Sequence, residues 1–263
     1  MFLTDMMSVA KQAAKAGGAV LVKYASQHVS FREKSDKTFV SIADEESEKV
    51  ITRVILEAFP DHEILGEETG QTGTSTTIWH IDPLDGTINF KSGFPLFCVS
   101  IGIEQHGEFI LGVIYNPLTD ELYAAEKGKG AFLNDKKIHV NTLSSADGVH
   151  VVDASFRDER TKRKLLYITK LTAFSSRLRM IGSSALQLCD VATGNCVSSL
   201  SDSVHSYDFA AGIVIVREAG GIVTDQYGNS PSAKSVVVIA SNNKEHDKFV
   251  AITKDCYVNY RGV

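Results

Sequence analysis

Apolar residues recur at helical spacing over residues 4–26, at Met6, Val9, Ala10, Ala13, Val20, Leu21 and Tyr24, with Thr4 ahead of them as a candidate N-cap. Gly17 and Gly18 interrupt that face, and inside a helix such a pair marks close packing more often than function. The same period returns at Val50, Ile51, Val54 and Ile55, predicting a helix from Ala43 to Ala58 that Pro60 ends. From Ile78 the pattern shortens. Ile78–Ile81, Phe97–Ile103, Phe109–Tyr115 and Glu121–Ala125 are brief runs rich in β-branched and aromatic residues, separated by Gly and Asn-Pro turns, as in an antiparallel meander. The second half alternates. Strands are predicted at Val149–Val152, Leu178–Ile181, Ile222–Thr224 and Val236–Ala240. Helices are predicted at Asp158–Lys170, Ser184–Thr193, Tyr207–Ala219 and Asn243–Lys254. This predicts an α+β half packed on an α/β half. The boundary falls in the small polar stretch Leu143–Gly148, giving expected domains of residues 1–145 and 146–263.

Composition narrows the classes. The 263 residues are 43% hydrophobic and 22% charged, an ordinary globular balance. Lys and Arg number 27 against 32 Asp and Glu, a net charge of −5, which suits neither DNA nor RNA as a sequence-independent partner. No apolar run reaches the ~18 residues of a membrane span. The opening segment carries Asp5 and no basic stretch before its apolar residues, so it does not read as a secretory signal. A cytoplasmic protein with no membrane partner is the expectation. Cys98, Cys189, Cys196 and Cys256 include no CxxC pair and read as small buried hydrophobes. The eight histidines contain no HExxH, so a zinc hydrolase is not expected.

The chemistry concentrates in WHIDPLDGTINF, residues 79–90. A short strand ends at Asp82, Pro83 stops it, and Gly86 permits a tight turn. Two crowded carboxylates repel unless a cation separates them, and hard oxygens on a turn suit Mg²⁺. The turn opens a helix whose free N–H groups make an anion site. Asp82 and Asp85 are also ordinary turn residues, and that reading stays open for the segment alone. Two further acidic positions bear on it. Glu67 and Glu68 follow an apolar run and Gly66, and Asp208 opens a long apolar helix, where an Asp is often only a cap.

Taken together, these segments resemble the inositol monophosphatase family of Mg²⁺-dependent, lithium-sensitive phosphatases. DPLDGTINF and the following GFP match one signature. YDFAAGIVIVREAGG matches a second, with Tyr207 where the family usually has Trp. ILGEETG, the Val40–Asp44 stretch and GSSALQLCDVATG match further elements, so the resemblance covers nearly the whole chain. It implies a layered αβαβα sandwich of the sugar phosphatase type, with the site where the halves meet. It also implies roles. Glu67, Asp82 and the carbonyl of Leu84 would hold one Mg²⁺, and Asp82, Asp85 and Asp208 a second, with a weaker third near Glu67. Asp44 and Thr87, with Glu67, would activate the attacking water. The amides of Gly86 and Thr87 would bind phosphate, and Gly182, Ser183 and Ser184 would line the alcohol side beside Asp85 and Asp208. A homodimer is implied as well.

One departure concerns the alcohol. An acidic residue commonly stands seven positions before the second-signature Asp in relatives that favour inositol phosphates; here Ser201 stands there, beside Asp202. Both residues read either as specificity determinants or as part of an unremarkable loop and strand pair. Inositol 1-phosphate leads the expected substrates, with fructose 1,6-bisphosphate, 3′-phosphoadenosine 5′-phosphate and histidinol phosphate as alternatives. Arg157, Arg160, Arg177 and Arg179 are candidates for a second phosphate or plain surface residues. His205 is a candidate substrate or metal neighbour or a simple packing residue. An aspartyl-phosphate phosphatase needs two Asp separated by one residue, and Asp82 and Asp85 are separated by two. A non-catalytic metal-binding regulator is the alternative outside enzymes.

Overall fold

A computed structural model describes residues 5–27, 29–33, 39–153 and 160–258. The first half runs α1 (Met6–Ala25), the antiparallel pair β1 (Phe31–Glu33) and β2 (Phe39–Ser41), and α2 (Ile42–Ala58). Then come β3 (Glu63–Gly66), β4 (Gly70–Thr72), β5 (Thr77–Asp85), the short α3 (Thr87–Ser92), β6 (Cys98–Gln105), β7 (Glu108–Asn116), β8 (Glu121–Glu126), β9 (Gly130–Leu133) and β10 (Lys136–Lys137). The second half runs β11 (His150–Val152), α4 (Arg160–Leu171), β12 (Leu178–Arg179), α5 (Ser184–Ala192), β13 (Ser198–Asp202), α6 (Ser206–Glu218), β14 (Ile222–Thr224), β15 (Val237–Ser241) and α7 (His246–Val258).

The expected meander is there, extended by shorter strands into an eight-stranded sheet of order β10-β9-β8-β7-β6-β5-β3-β4, parallel only between β3 and β5. The second sheet, β12-β11-β13-β15-β14, is mixed: β11 runs parallel to β12 and β13, while β15 runs antiparallel to β13 and β14. Helices α1 and α2 cover the outer face of the large sheet through Ala10, Ile51, Trp79 and Ile101. Helices α5 and α6 fill the space between the sheets, joining Ile114 and Tyr123 to Val238 and Ala240 through Leu188, Phe209 and Val214. Helices α4 and α7 cover the far face of the small sheet. The result is the layered αβαβα sandwich. Strand β5 is buried nearly throughout because helices cover both its faces.

Element ends differ from expectation for local reasons. Thr4 lies outside the described residues; the cap is Asp5, which accepts the Met7 N–H at 3.2 Å. Strand β12 stops at Arg179 because the Ile181 carbonyl is taken by Asn89 and Gly182 turns with φ +72°. The last helix starts at His246, three residues late, since Asn243 sits at φ +74°.

Helix α6 comes unusually close to the large sheet. A methyl group on Gly102 of β6 would lie 2.5 Å from the Ala210 Cβ, and one on Gly112 of β7 would lie 2.2 Å from the Ala211 carbonyl oxygen. Only glycine facing alanine permits that approach. Gly112→Ala is therefore expected to cost about 3 kcal/mol through overpacking against backbone. That corresponds to a fall of roughly 5–10 °C in the unfolding midpoint. An unchanged melting curve would show that α6 can back away from the sheet.

Candidate active site

The site begins with an irregularity in β5. Asp82 pairs with Ser100 and Asp85 with Cys98, so β5 carries one residue more than β6 across that interval. In a regular strand, residues three apart face opposite sides; the extra residue brings Asp82 and Asp85 to the same side. That side faces α5 and α6. Pro83 has no N–H for the ladder, and the Leu84 N–H turns to Asp82 Oδ1 at 3.0 Å. Gly86 follows at φ +91°, where a Cβ would lie 2.7 Å from the Leu96 carbonyl oxygen. Helix α3 then starts, with Thr87 Oγ1 donating to the Leu84 carbonyl at 3.2 Å.

Asp208 arrives from the other half. It lies in the first turn of α6, and its Oδ2 accepts the His205 N–H at 2.6 Å. Asp82, Asp85 and Asp208 each present a carboxylate oxygen within 4.8 Å of the others'. Glu67 lines the same cleft from the end of β3, its N–H bonded to the Ile81 carbonyl at 3.1 Å. The cleft encloses about 230 Å³ and adds Gly86, Thr87, Gly182 and Ser184, with Phe39, Ile88, Asp153, Ser203 and Val204.

Burial, before any neighbouring charge, raises the proton affinity of four aspartates here. Burial, then the charges of Glu67, Asp85 and Asp208, hold the Asp82 carboxyl well above its ordinary range. Burial lifts Asp85 to about 6 despite its hydrogen bonds, and likewise pushes Asp208 up. Asp44 is lifted to about 6, again chiefly by burial. Its Oδ2 completes the capping box of α2 by accepting the Ser41 N–H at 2.8 Å and the Ser41 hydroxyl at 2.7 Å. Its Oδ1 is buried with no hydrogen-bond partner. Asp44 is not among the cleft residues, and its link to them is the charge of Glu67. The clustered hard oxygens of Asp82, Asp85 and Asp208, which repel one another, suit a divalent metal ion.

Asp85 has a second duty. It accepts the Ser183 hydroxyl, the Ser184 N–H at 3.1 Å and the Ala185 N–H at 2.8 Å, so it seats the N-terminus of α5. Ser183 and Ser201, both expected on the alcohol side, are not among the cleft residues. Ser183 is buried as the cap of α5. Ser201 is enclosed within β13, its Oγ unpartnered. Asp202 is saturated by Arg163, the Ser203 hydroxyl and the Tyr257 hydroxyl. His205 stacks on Tyr207 in solvent, 3.9 Å from Asp208. Arg157 lies outside the described residues, as does the side chain of Arg160. Arg177 and Arg179 bond backbone carbonyls at Ala146 and Leu178.

Several positioning residues escape sequence reading. Buried Glu48 of α2 accepts the Glu68 N–H at 2.8 Å, the Thr69 N–H at 2.9 Å and the Thr69 hydroxyl at 2.6 Å, fixing the turn that carries Glu67. Asn89 Nδ2 donates to the Leu96 and Ile181 carbonyls, both at 2.7 Å, tying α3 to the Gly182 loop. His80 joins Ser206 at 2.8 Å and Glu104 at 3.0 Å. That chain looks like a nucleophile triad, but Ser206 and His80 are sealed inside and anchor the start of α6.

Comparison with known proteins agrees with this geometry. The family model described as "Inositol monophosphatase family" matches residues 3–257. This chain belongs to that family. A protein of Aquifex aeolicus named fructose-1,6-bisphosphatase/inositol-1-monophosphatase is 38% identical over 96% of each chain. One of Xylella fastidiosa, named Nus factor SuhB, is 36% identical over 90% of each. Among solved structures, the extragenic suppressor protein suhB of Bartonella henselae superposes with a TM-score of 0.90 at 35% identity, covering 98% of this chain and 99% of that one. The family is one of metal-dependent phosphatases acting on small phosphate esters, so this inositol monophosphatase-family member is a phosphoric monoester hydrolase.

Two measurements probe the site. Glu48→Ala removes the buried carboxylate that the Glu68 and Thr69 N–H groups bond, and should cost about 2 kcal/mol while weakening divalent-cation binding roughly tenfold. Calorimetry on the folded variant reads both, and unchanged cation affinity would detach Glu48 from Glu67. The second concerns pH. Asp44 and Asp85 have folded values of about 6, above the unfolded ~3.9, so below 6 the metal-free protein holds protons that a cation must displace. The rise in melting temperature on adding Mg²⁺ to chelator-treated protein should therefore be small at pH 5 and grow as pH passes 6. A rise independent of pH would contradict the carboxylate assignment.

Proposed function

We propose that the protein is a Mg²⁺-dependent phosphatase for small sugar or polyol phosphate monoesters, inositol 1-phosphate foremost, working by direct attack of water. The observation that carries this reading is the convergence of Asp82, Asp85 and Asp208 beside the Gly86–Thr87 turn. Glu67, Asp82 and the Leu84 carbonyl would hold one ion, and Asp82, Asp85 and Asp208 another. Bound Mg²⁺ supplies neutralisation of phosphoryl oxygens and a water of lowered pKa.

The chain supplies the rest. The Gly86 and Thr87 N–H groups open α3 and meet phosphate oxygens. Asp44 Oδ1, the orphaned acceptor, receives the proton of the attacking water. The Thr87 hydroxyl, held toward the Leu84 carbonyl, orients that water. Gly182 and Ser184 border the alcohol, steadied through the hydrogen bonds of Asp85 and Asn89. Phosphoryl transfer needs positioning and charge stabilisation rather than a covalent nucleophile. Lithium sensitivity, a homodimer and a cytoplasmic location belong to the same reading and rest on family membership. The division into halves at residue 145 rests on the change of pattern across the small polar stretch Leu143–Gly148.

Phosphate release from inositol 1-phosphate should require Mg²⁺ and fall more than about 100-fold in Asp82→Asn. Chelator-treated Asp82→Asn should melt no lower than wild type, because the substitution removes one of several buried like charges. Release that is independent of Mg²⁺, or a fully active Asp82→Asn, would overturn the reading. Comparing kcat/KM with fructose 1,6-bisphosphate, 3′-phosphoadenosine 5′-phosphate and histidinol phosphate ranks the substrates.

A further inference from the structure

Helix α4 sends two consecutive cations to the ends of two neighbouring parallel strands. Arg163 takes Asp202, at the end of β13, with bonds of 2.8–3.0 Å to both carboxylate oxygens. Lys164, almost completely buried, meets Asp153 just past the end of β11 at 2.8 Å. The two carboxylates then part company. Asp202 is enclosed. Asp153 is 18% exposed and lines the cleft, its N–H fixed to the Leu200 carbonyl at 2.9 Å. It stands at the carboxyl end of a parallel strand, where open α/β sheets bind ligands. Asp82, Asp85, Asp208 and Glu67 carry the metal chemistry of the reading above. Asp153 belongs to no part of that chemistry, yet shares their cleft. Beside it Ser203 holds φ +70°, a backbone conformation that a non-glycine residue adopts at a cost and that is frequent at ligand sites.

We propose that Asp153 is a specificity-determining residue for the alcohol part of the substrate. Resting on the phosphatase reading, the inference is that its carboxylate, braced by Lys164, accepts hydrogen bonds from alcohol hydroxyls and repels a second phosphate. A carboxylate is an acceptor only, so it rewards a substrate rich in O–H donors. Lys164 is too buried to meet the ligand itself, but its ion pair holds the carboxylate in place. The cleft thus takes the monophosphate ester of a polyhydroxy alcohol, in preference to an ester of a bare ring and to a bisphosphate.

The test compares inositol 1-phosphate, cyclohexyl phosphate (the same ring without the other hydroxyls) and fructose 1,6-bisphosphate, by kcat/KM with Mg²⁺. In Asp153→Asn the inositol-to-cyclohexyl ratio should fall about tenfold, mainly through KM, and the bisphosphate-to-inositol ratio should rise. Asp153→Asn removes the charge of one partner of buried Lys164 and risks misfolding. The double variant Asp153→Leu/Lys164→Met removes both charges together and should show the same two shifts. A folded variant that loses all three substrates equally, or none, overturns the inference, because a merely structural role leaves the ratios unmoved. Equal kcat/KM for inositol and cyclohexyl phosphate in the wild type overturns it without any variant. Failure of the wild type to release phosphate from any ester would instead strike at the phosphatase reading.

Discussion

Like charges held together in a dry place govern this structure. Asp82, Asp85 and Asp208 stand within 4.8 Å of one another, with Glu67 in the same cleft. Left to themselves, such groups would swing apart or take up protons. Two backbone devices prevent the first. The extra residue in β5 turns two aspartates to one side, and the glycine-alanine contacts of β6 and β7 with α6 hold the third against them. The raised proton affinities show that the energetic strain persists, and a cation is what relieves it. The fold is thus less stable locally than it would be with neutral side chains there, an expected feature of sites built for catalysis.

Much of this was legible in the chain. Helical and strand periods mark α1, α2, the meander and the later alternation, because those elements bury one continuous face each. DPLDGTINF and the Asp208 segment point to the metal side only when read together as family signatures, since a proline, a glycine and paired acids within a few residues also make an ordinary turn. The short strands β4, β9 and β10 toward the two edges of the large sheet are not legible, as two to four residues carry no period. The bulge is also silent. Nothing in Asp82-Pro83-Leu84-Asp85 states which partner residue is skipped. Contacts across the sandwich are silent too: Glu48 reads as one charge among several on α2, and only the folded chain shows it gripping the Glu68–Thr69 turn.

The alcohol side misled for a related reason. Position in a motif suggested Ser201 and Ser183, but a strand covered on both faces encloses one and a helix cap absorbs the other. Gly182 and Ser184 do line the cleft, as expected; Asp153 and Ser203, which also reach it, sit just past strand ends, where a shift of one residue decides between core and solvent.

Asp85 joins these two sides in one atom group. The carboxylate that faces Asp82 and Asp208 also carries the first turn of α5 and, through it, the Gly182–Ser184 border. That border cannot be remodelled without disturbing the ligand field, so it is a poor place for substrate preference to drift. Preference is free to diverge only on walls mechanically independent of Asp85. In this chain those are the tips of β11 and β13, which makes the small sheet the adjustable face of an otherwise locked machine.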